Sequence, residues 1–512
     1  MSTPVFPPCG PLALGRRAAA RFALYGLLAM AGGCATVGPD FKHTEVDAPA
    51  GWSGRHGGSP TLAAPSDGTP SPGVDRWAAF GDPELTRLQT LAMRANQDVK
   101  TALLRLLQSR VEETTVTAQR GVQVSAQGEI SRQRQSQFGS ASRLANVVGG
   151  ANAPQLLSLL SAPFTLYQAG FDASWEPDLW GRVARSEQAA RANTDGQQAG
   201  LRQIQLGVAA ELARSYFLLR STQRQRLLAQ DELAIAQEME RLLRSQFRNG
   251  MADESGLIRQ HSQVATLLAS MPALLAQEAK AMNQITLLCG AEPGGMNDDL
   301  ATLRVSSAAA VLPDLRLGLP SEFARHRPDV AAAEASLHAA TANIGIAVAD
   351  LYPRVTLGAT FGLETVGSAK FGDWGGRQWT VGPTLSIPIW DQGRRRSTIN
   401  LRELQQQEAA VAFQQAVLKA WHEVDDAISA YVVETQRDLQ FAERVRGAED
   451  EARLAQARYV DGLTSYLPVL SATATLIEAR RDQSDSTARV QTTLAALYKA
   501  LGDDGKLRVT DA

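Results

Sequence analysis

The stretch YQAGFDASWEPDLWGRVARS, Tyr167 to Ser186, changes character midway. Its first half places Tyr167, Ala169, Phe171, Ala173 and Trp175 on one face, and Gln168, Gly170, Asp172, Ser174 and Glu176 on the other. Period two over about ten residues predicts a strand. After Gly181-Arg182 the pattern turns helical and runs without proline to about Arg248. The transition recurs in WTVGPTLSIPIWDQGRRRST, Trp379 to Thr398, with Gly393-Arg394 at the turn and a proline-free run to about Val460. Gly181 and Gly393 relieve the backbone where a strand gives way to a helix. At 1.5 Å per residue each helical run makes a rod of about 100 Å, far longer than a globular helix. The rods stop at Asn249-Gly250 and Asp461-Gly462, where glycine supplies a left-handed cap, and Asp253 and Ser465 are placed to cap the helices that follow.

Two more segments alternate. VQVSAQGEIS, from Val122, and VTLGATFGLE, from Val355, both separate apolar from polar faces. Such segments suit tilted strands crossing a bilayer, although a half-buried soluble sheet shows the same pattern. Sliding the sequence along itself at one offset, without a gap, brings Gly170 onto Gly382, Gly181-Arg182 onto Gly393-Arg394, Glu211 onto Glu423 and Gly250 onto Gly462. Upstream, Asp98-Val99 falls on Asp329-Val330 at a larger offset, so the first copy carries a longer hairpin loop, roughly 132–165. Each unit reads helix, strand, loop, strand, very long helix, turn, helix, and the chain is this unit twice.

The N-terminus separates the two readings of the strands. Arg16, Arg17 and Arg21 precede FALYGLLAMAGG, an export signal too short to span a membrane. The run ends Ala31-Gly32-Gly33-Cys34, which resembles a bacterial lipobox with Cys34 as the lipidated residue; a signal cleaved without lipidation would carry the same basic and apolar regions. Ala35, where an Asp would suggest inner-membrane retention, points to the outer membrane. Of three cysteines, Cys9 leaves with the signal and Cys34 is modified, so Cys289, in ITLLCG, is read as a small buried core residue with no disulfide partner. The segments are therefore a signal peptide at 1–33, a lipidated tether at 34–80, repeat 1 at 81–292, a linker at 293–318, repeat 2 at 319–503 and a tail at 504–512. Repeat 1 holds strands at about 120–132 and 165–177, then helices at about 182–248 and 253–289. Repeat 2 holds strands at about 353–365 and 378–390, then helices at about 394–460 and 465–501.

Four strands cannot close a membrane barrel, for which the minimum is about eight. Lipid does not tolerate open strand edges, so spanning strands force oligomerisation. Two copies would leave a plugged lumen, and three leave room inside.

Several stretches resemble the TolC-like outer membrane factors, specifically the lipoprotein channels of resistance-nodulation-division efflux pumps. They are CATVGPDF at Cys34, LPSEFARHRPDVAAAEASLHAATANIGIAVADLYPRVTL at Leu319 to Leu357, WEPDLWGR, PIWDQGRR, ARYVDGLTSYLPVL and ALYKALG. The resemblance implies a mainly α fold with membrane β: a homotrimeric, twelve-stranded outer-membrane β-barrel, four strands per chain, continued by a long periplasmic α-helical barrel with an equatorial collar. It implies a passive duct exporting small molecules, drugs or other toxic organics, with no cofactor beyond the lipid on Cys34. The partners it implies are a periplasmic adaptor and an inner-membrane pump. In such proteins the periplasmic end closes through inward side chains, which here match Leu467 and Ser471 in SYLPVLS. Ser471 stands where the family commonly has Asp, so a carboxylate ring is missing; Leu467 keeps an apolar constriction or simply packs between helices. The turns holding Asn249, Gly250 and Met251, and Asp461, Gly462 and Leu463, match the family's adaptor-contact tips. Arg394, Arg395 and Arg396, with Arg182 and Arg185, read as solvated helix starts or as contacts for lipid head groups.

Other classes fit less well. The net charge of -2 gives no general attraction to nucleic acid. The six histidines have no HExxH-type spacing, and no P-loop, GxGxxG or nucleophile elbow occurs, so no enzyme is expected. A coiled-coil rod would lack the alternating strands. Within the resembling superfamily, a duct for type I protein secretion or a heavy-metal efflux channel remains the alternative.

Overall fold

A computed structural model gives the architecture and describes residues 36–43, 77, 80–139, 150–251, 253–301 and 327–502. Cys34, the signal segment, most of the tether and most of the linker fall outside these residues. In chain order the elements are α1 Pro83–Ala95, α2 Gln97–Thr117, β1 Gln123–Gln133, α3 Ala153–Leu160, β2 Phe164–Trp175, α4 Arg182–Arg248, α5 Glu254–Leu288, α6 Asn297–Ala301, α7 Pro328–Ala349, β3 Arg354–Val366, β4 Arg377–Ser386, α8 Arg394–Val460 and α9 Leu467–Leu501.

The internal repeat is visible in these bounds. Helices α4 and α8 each hold 67 residues, and the offset that aligns Gly181 with Gly393 aligns both of their ends. Helices α5 and α9 each hold 35 residues. The starts of β1 and β3, like those of α2 and α7, are related by the larger upstream offset. The longer loop of the first copy contains α3, APQLLSLL, an element that a period-two reading of the flanking strands does not find. The second copy has only two 3₁₀ turns there, at Ser368–Lys370 and Trp374–Gly376.

The chain divides into two compact units. The first, Met1–Lys42, Val111–Ala192 and His338–Gln407, contains the four-stranded antiparallel sheet in the order β1-β2-β3-β4. The second, His43–Arg110, Asn193–Leu337 and Glu408–Ala512, contains the largest core, to which both repeats contribute. Trp77, Phe80, Phe217 and Tyr498 form an aromatic cluster there, with Phe80 and Phe217 ring centres 4.9 Å apart. Cys289 is buried in the same core, 3.8 Å from the Leu88 carbonyl, and burial pushes its thiol up to about 11. It is the inert packing residue expected of ITLLCG. Among the described residues no helix is long and apolar enough to cross a membrane.

Helix ends follow local chemistry. At both rod termini Gly250 and Gly462 adopt φ near +72°. The amides of Gly250 and Met251 donate to the carbonyls of Phe247 and Gln246, and those of Gly462 and Leu463 donate to Tyr459 and Arg458. Each rod therefore ends in the same Schellman motif. Asp253 accepts from the Gly256 amide, as expected of a cap. Ser465 does not cap: α9 begins at Leu467 after Tyr466, whose side chain makes no capping bond, because Pro468 prefers the first helical turn and moves the start one residue on.

Arg327, in the RHRPDV stretch, ties the second unit together. Its guanidinium bonds both carboxylate oxygens of Asp329, at 2.9 and 2.7 Å, donates to the Ala500 carbonyl at the end of α9, and pairs with Glu423 of α8. Burial pushes the Asp329 carboxyl up, but hydrogen bonding and charge from Arg327 outweigh this and hold it below the usual range. A depressed carboxylate stabilises the fold above its unfolded pKa of about 4, and that stability is lost as pH falls through the lower folded value. Asp329→Asn is therefore expected to lower the thermal midpoint at neutral pH by several degrees and to flatten its decline below about pH 4. Thermal scans across pH check this; equal acid sensitivity in both proteins would contradict it.

Candidate channel wall and gate

The sheet brings the four alternating segments into a single register. Val124 pairs with Ala173, Ala126 with Phe171, and Ile130 with Tyr167. Phe171 pairs with Phe361, Ala173 with Ala359 and Trp175 with Leu357. Phe361 pairs with Trp379, Ala359 with Val381 and Leu357 with Pro383. Directly paired residues share a face, so the apolar positions of the alternation that fall within the paired strands lie on one side of the sheet. That side is bare: Ile130 is 71%, Phe171 60% and Trp379 68% exposed. The opposite side is polar. Glu129 pairs with Gln168, and Gln168 with Glu364. The Gln168 amide donates to the Glu364 carboxylate at 2.7 Å, and Gln378 on β4 donates to the same oxygen at 3.3 Å. Among the described residues, β1 bonds only to β2 and β4 only to β3, so both outer edges keep unpaired backbone groups.

In the second unit, Leu467 and Ser471 lie one turn apart near the start of α9. Leu467 is half-buried and Ser471 exposed, while Val469, on the opposite side of the helix, is buried. The Ser471 carbonyl accepts from the Thr475 hydroxyl. Thus the two residues share the less covered face. Asn249, Gly250, Asp461 and Gly462 form the two Schellman tips, and each tip presents an apolar residue to solvent: Met251 is 71% and Leu463 76% exposed. Glycine capping explains the turn shape but not these two side chains.

The family profile described as outer membrane efflux protein matches residues 88–291 and 319–503, which is most of the chain and splits it at the repeat boundary. The chain belongs to this family. Relatives agree over nearly full length. The pyoverdine export outer membrane protein OpmQ of Pseudomonas putida is 29% identical over 461 residues, covering 89% of this chain and 91% of its own. Outer membrane protein OprJ of Pseudomonas aeruginosa is 27% identical over 488 residues, covering 94% and 96%. The solved structure of the outer-membrane channel OprN has a TM-score of 0.77 at 27% identity, over 91% of this chain and 99% of that one. The mainly helical, repeated fold with four strands per chain is thus that of the outer membrane efflux channels.

Two residues of this family member carry more than the sequence disclosed. Arg327 was legible only as part of a motif, without its partners. Arg185, read as a possible contact for lipid head groups, is instead 2% exposed at its side chain and donates to the carbonyls of Val37 and Gly38 and to Asp40. A guanidinium buried against protein carbonyls is not offered to lipid. Arg182 is likewise engaged by Glu176, and Arg395 by Asp391.

The paired faces make the sheet's two sides unequal under mutation. Phe171→Arg, in the centre of the apolar side, is expected to cost about 2–4 kcal/mol where that side meets hydrocarbon, whereas Thr360→Arg, on the polar side, costs little. The amount of folded protein in the outer-membrane fraction reads this, and equal loss in both variants would mean that the apolar side does not face lipid.

Proposed function

We propose that the chain is the outer-membrane channel of a tripartite efflux system: a passive homotrimeric duct through which small organic molecules leave the cell. The observation that carries this reading is the sheet, with one continuous apolar face, one polar face and two unpaired edges, joined in sequence to helices of 67 residues. An apolar face facing lipid and a polar face lining water is the arrangement of a barrel wall. The unpaired edges require pairing with other copies, and three copies make twelve strands. OpmQ, an export protein, and OprN, an outer-membrane channel, support the assignment.

In this reading the helical hairpins of α4 with α5 and α8 with α9 continue the duct into the periplasm. The exposed Met251 and Leu463 at their tips meet a periplasmic adaptor, which connects the duct to an inner-membrane pump that supplies energy and selects the cargo. Cys34 carries an N-terminal lipid that holds the chain at the outer membrane. The duct closes at the start of α9. There Leu467 narrows an apolar ring, which resists wetting, and Ser471 leaves the next ring without charge.

Planar-bilayer conductance tests the gate and the pore together. Leu467→Ser is expected to raise conductance several-fold by making the constriction wettable. Ser471→Asp adds one carboxylate per chain and is expected to increase the cation-to-anion permeability ratio. A trimer whose conductance and selectivity are unmoved by either change would show that the gate lies elsewhere, and a protein that forms no pore in any variant would defeat the channel assignment.

A further inference from the structure

The short segment Thr36-Val37-Gly38-Pro39-Asp40 is seated on the first strand-to-helix junction by contacts that neither the fold nor the export reading accounts for. The Val37 amide donates to the Trp180 carbonyl at 3.1 Å. Arg185, on the first turn of α4, donates from Nε to the Val37 carbonyl at 3.1 Å and from one terminal nitrogen to the Gly38 carbonyl and Asp40, at 3.2 and 2.8 Å. Its other terminal nitrogen is held by Gln188 at 2.8 Å, which fixes the fork. The aliphatic stem of Arg185 crosses α7 at Gly345, where a Cβ would stand 2.8 Å from the Arg185 side chain. Gly38 approaches the same glycine so closely that a Cβ on Gly38 would meet the Gly345 Cα at 2.5 Å. Thr36 covers Gly181, and the Phe41 ring stacks on His338 of α7 at 4.4 Å.

The internal repeat supplies a control. The second junction, at Gly393, reproduces the glycine and its positive φ. The offset that aligns the two junctions sets Ser397 opposite Arg185, and the larger upstream offset sets Thr114 opposite Gly345. The second junction therefore lacks an equivalent of Arg185, and the helix that corresponds to α7 in the other copy lacks an equivalent of Gly345. A serine cannot reach three acceptors, and a β-branched threonine fills the space that Gly345 leaves open.

We propose that Thr36–Lys42 is a strap, that Arg185 and Gly345 are its dedicated seat, and that their presence in only one of two otherwise equivalent junctions selects where the chain's N-terminus is held. Where Cys34 carries lipid, as proposed above, the lipid is delivered there; that step rests on the lipidation reading, whereas the seat itself does not. Arg185 acts as a positioning residue, through the strap's backbone.

Hydrogen exchange of the full-length protein in detergent tests the seat. In the unmodified chain the Val37 amide is expected to exchange well below the rate of a free peptide. Arg185→Gln and Gly345→Val are each expected to accelerate it by about tenfold or more while leaving the β2–β3 ladder protected. Arg185→Lys, a point charge that cannot serve all three acceptors, should fall between. Val37 exchanging at the free-peptide rate in the unmodified protein, or unchanged in both seat variants, would overturn the proposal. If a seat variant also loses protection in the ladder, Asp40→Asn decides from the strap side. Several-fold faster Val37 exchange with an intact ladder supports the seat, and no change refutes it.

Discussion

A backbone amide or carbonyl in hydrocarbon has no water to bond, and the architecture of this chain follows from that constraint. The sheet satisfies its own groups between β1 and β2, β2 and β3, and β3 and β4, and leaves two edges open. With only four strands, the chain cannot close those edges by itself. The four strands of one chain are therefore a barrel segment rather than a barrel, and in the proposed channel other copies close its edges. The polar side of the sheet, with Gln168, Glu364 and Gln378 bonded across three strands, is consistent with a wall that faces water.

The helices meet a different requirement. In rods of 67 residues most of the helical stability comes from packing against neighbours rather than from local propensity. The ends, however, are set locally. Gly250 and Gly462 close the rods with the same pattern of hydrogen bonds, which keeps the two hairpins alike despite their divergent side chains. Between the ends, buried ties such as Arg327 with Asp329, Glu423 and the Ala500 carbonyl join the second repeat's first helix to its last. The buried arginine is retained at a cost in desolvation, offset by its hydrogen-bonded partners and by the charge of two carboxylates.

Much of this was legible in the sequence because it depends on short-range periodicity. Alternation between Tyr167 and Trp175 is a property of neighbouring residues, and so is the proline-free helical run that ends at Asn249-Gly250. The repeat survives because the alignment is ungapped through both rods. What escaped the sequence is long-range or very short. Arg185 lies 145 residues from Asp40, so nothing in VARS discloses that its charge is spent on the N-terminal arm. Helix α3 is eight residues, too short for a periodic signal, and Ser465 lost its capping role to the conformational demand of Pro468 three residues later. The proposed gate residues Leu467 and Ser471 rest on the family resemblance. Their shared, less covered face on α9 is compatible with that role and does not by itself require it.

In the proposed channel the open edge of β1 in one copy pairs with the open edge of β4 in the next, and the ring closes at three. The direct measurement is inter-chain cross-linking in native outer membranes, with one cysteine on β1 in place of Ser125 and one on β4 in place of Thr384, scanned by one pairing step to either side. Cys289 is buried and does not compete. The expected result is a denaturing-gel ladder of one, two and three chains, with closed trimer as the limit at full oxidation. A ladder that stops at two, extends beyond three, or fails to form in any register would contradict it.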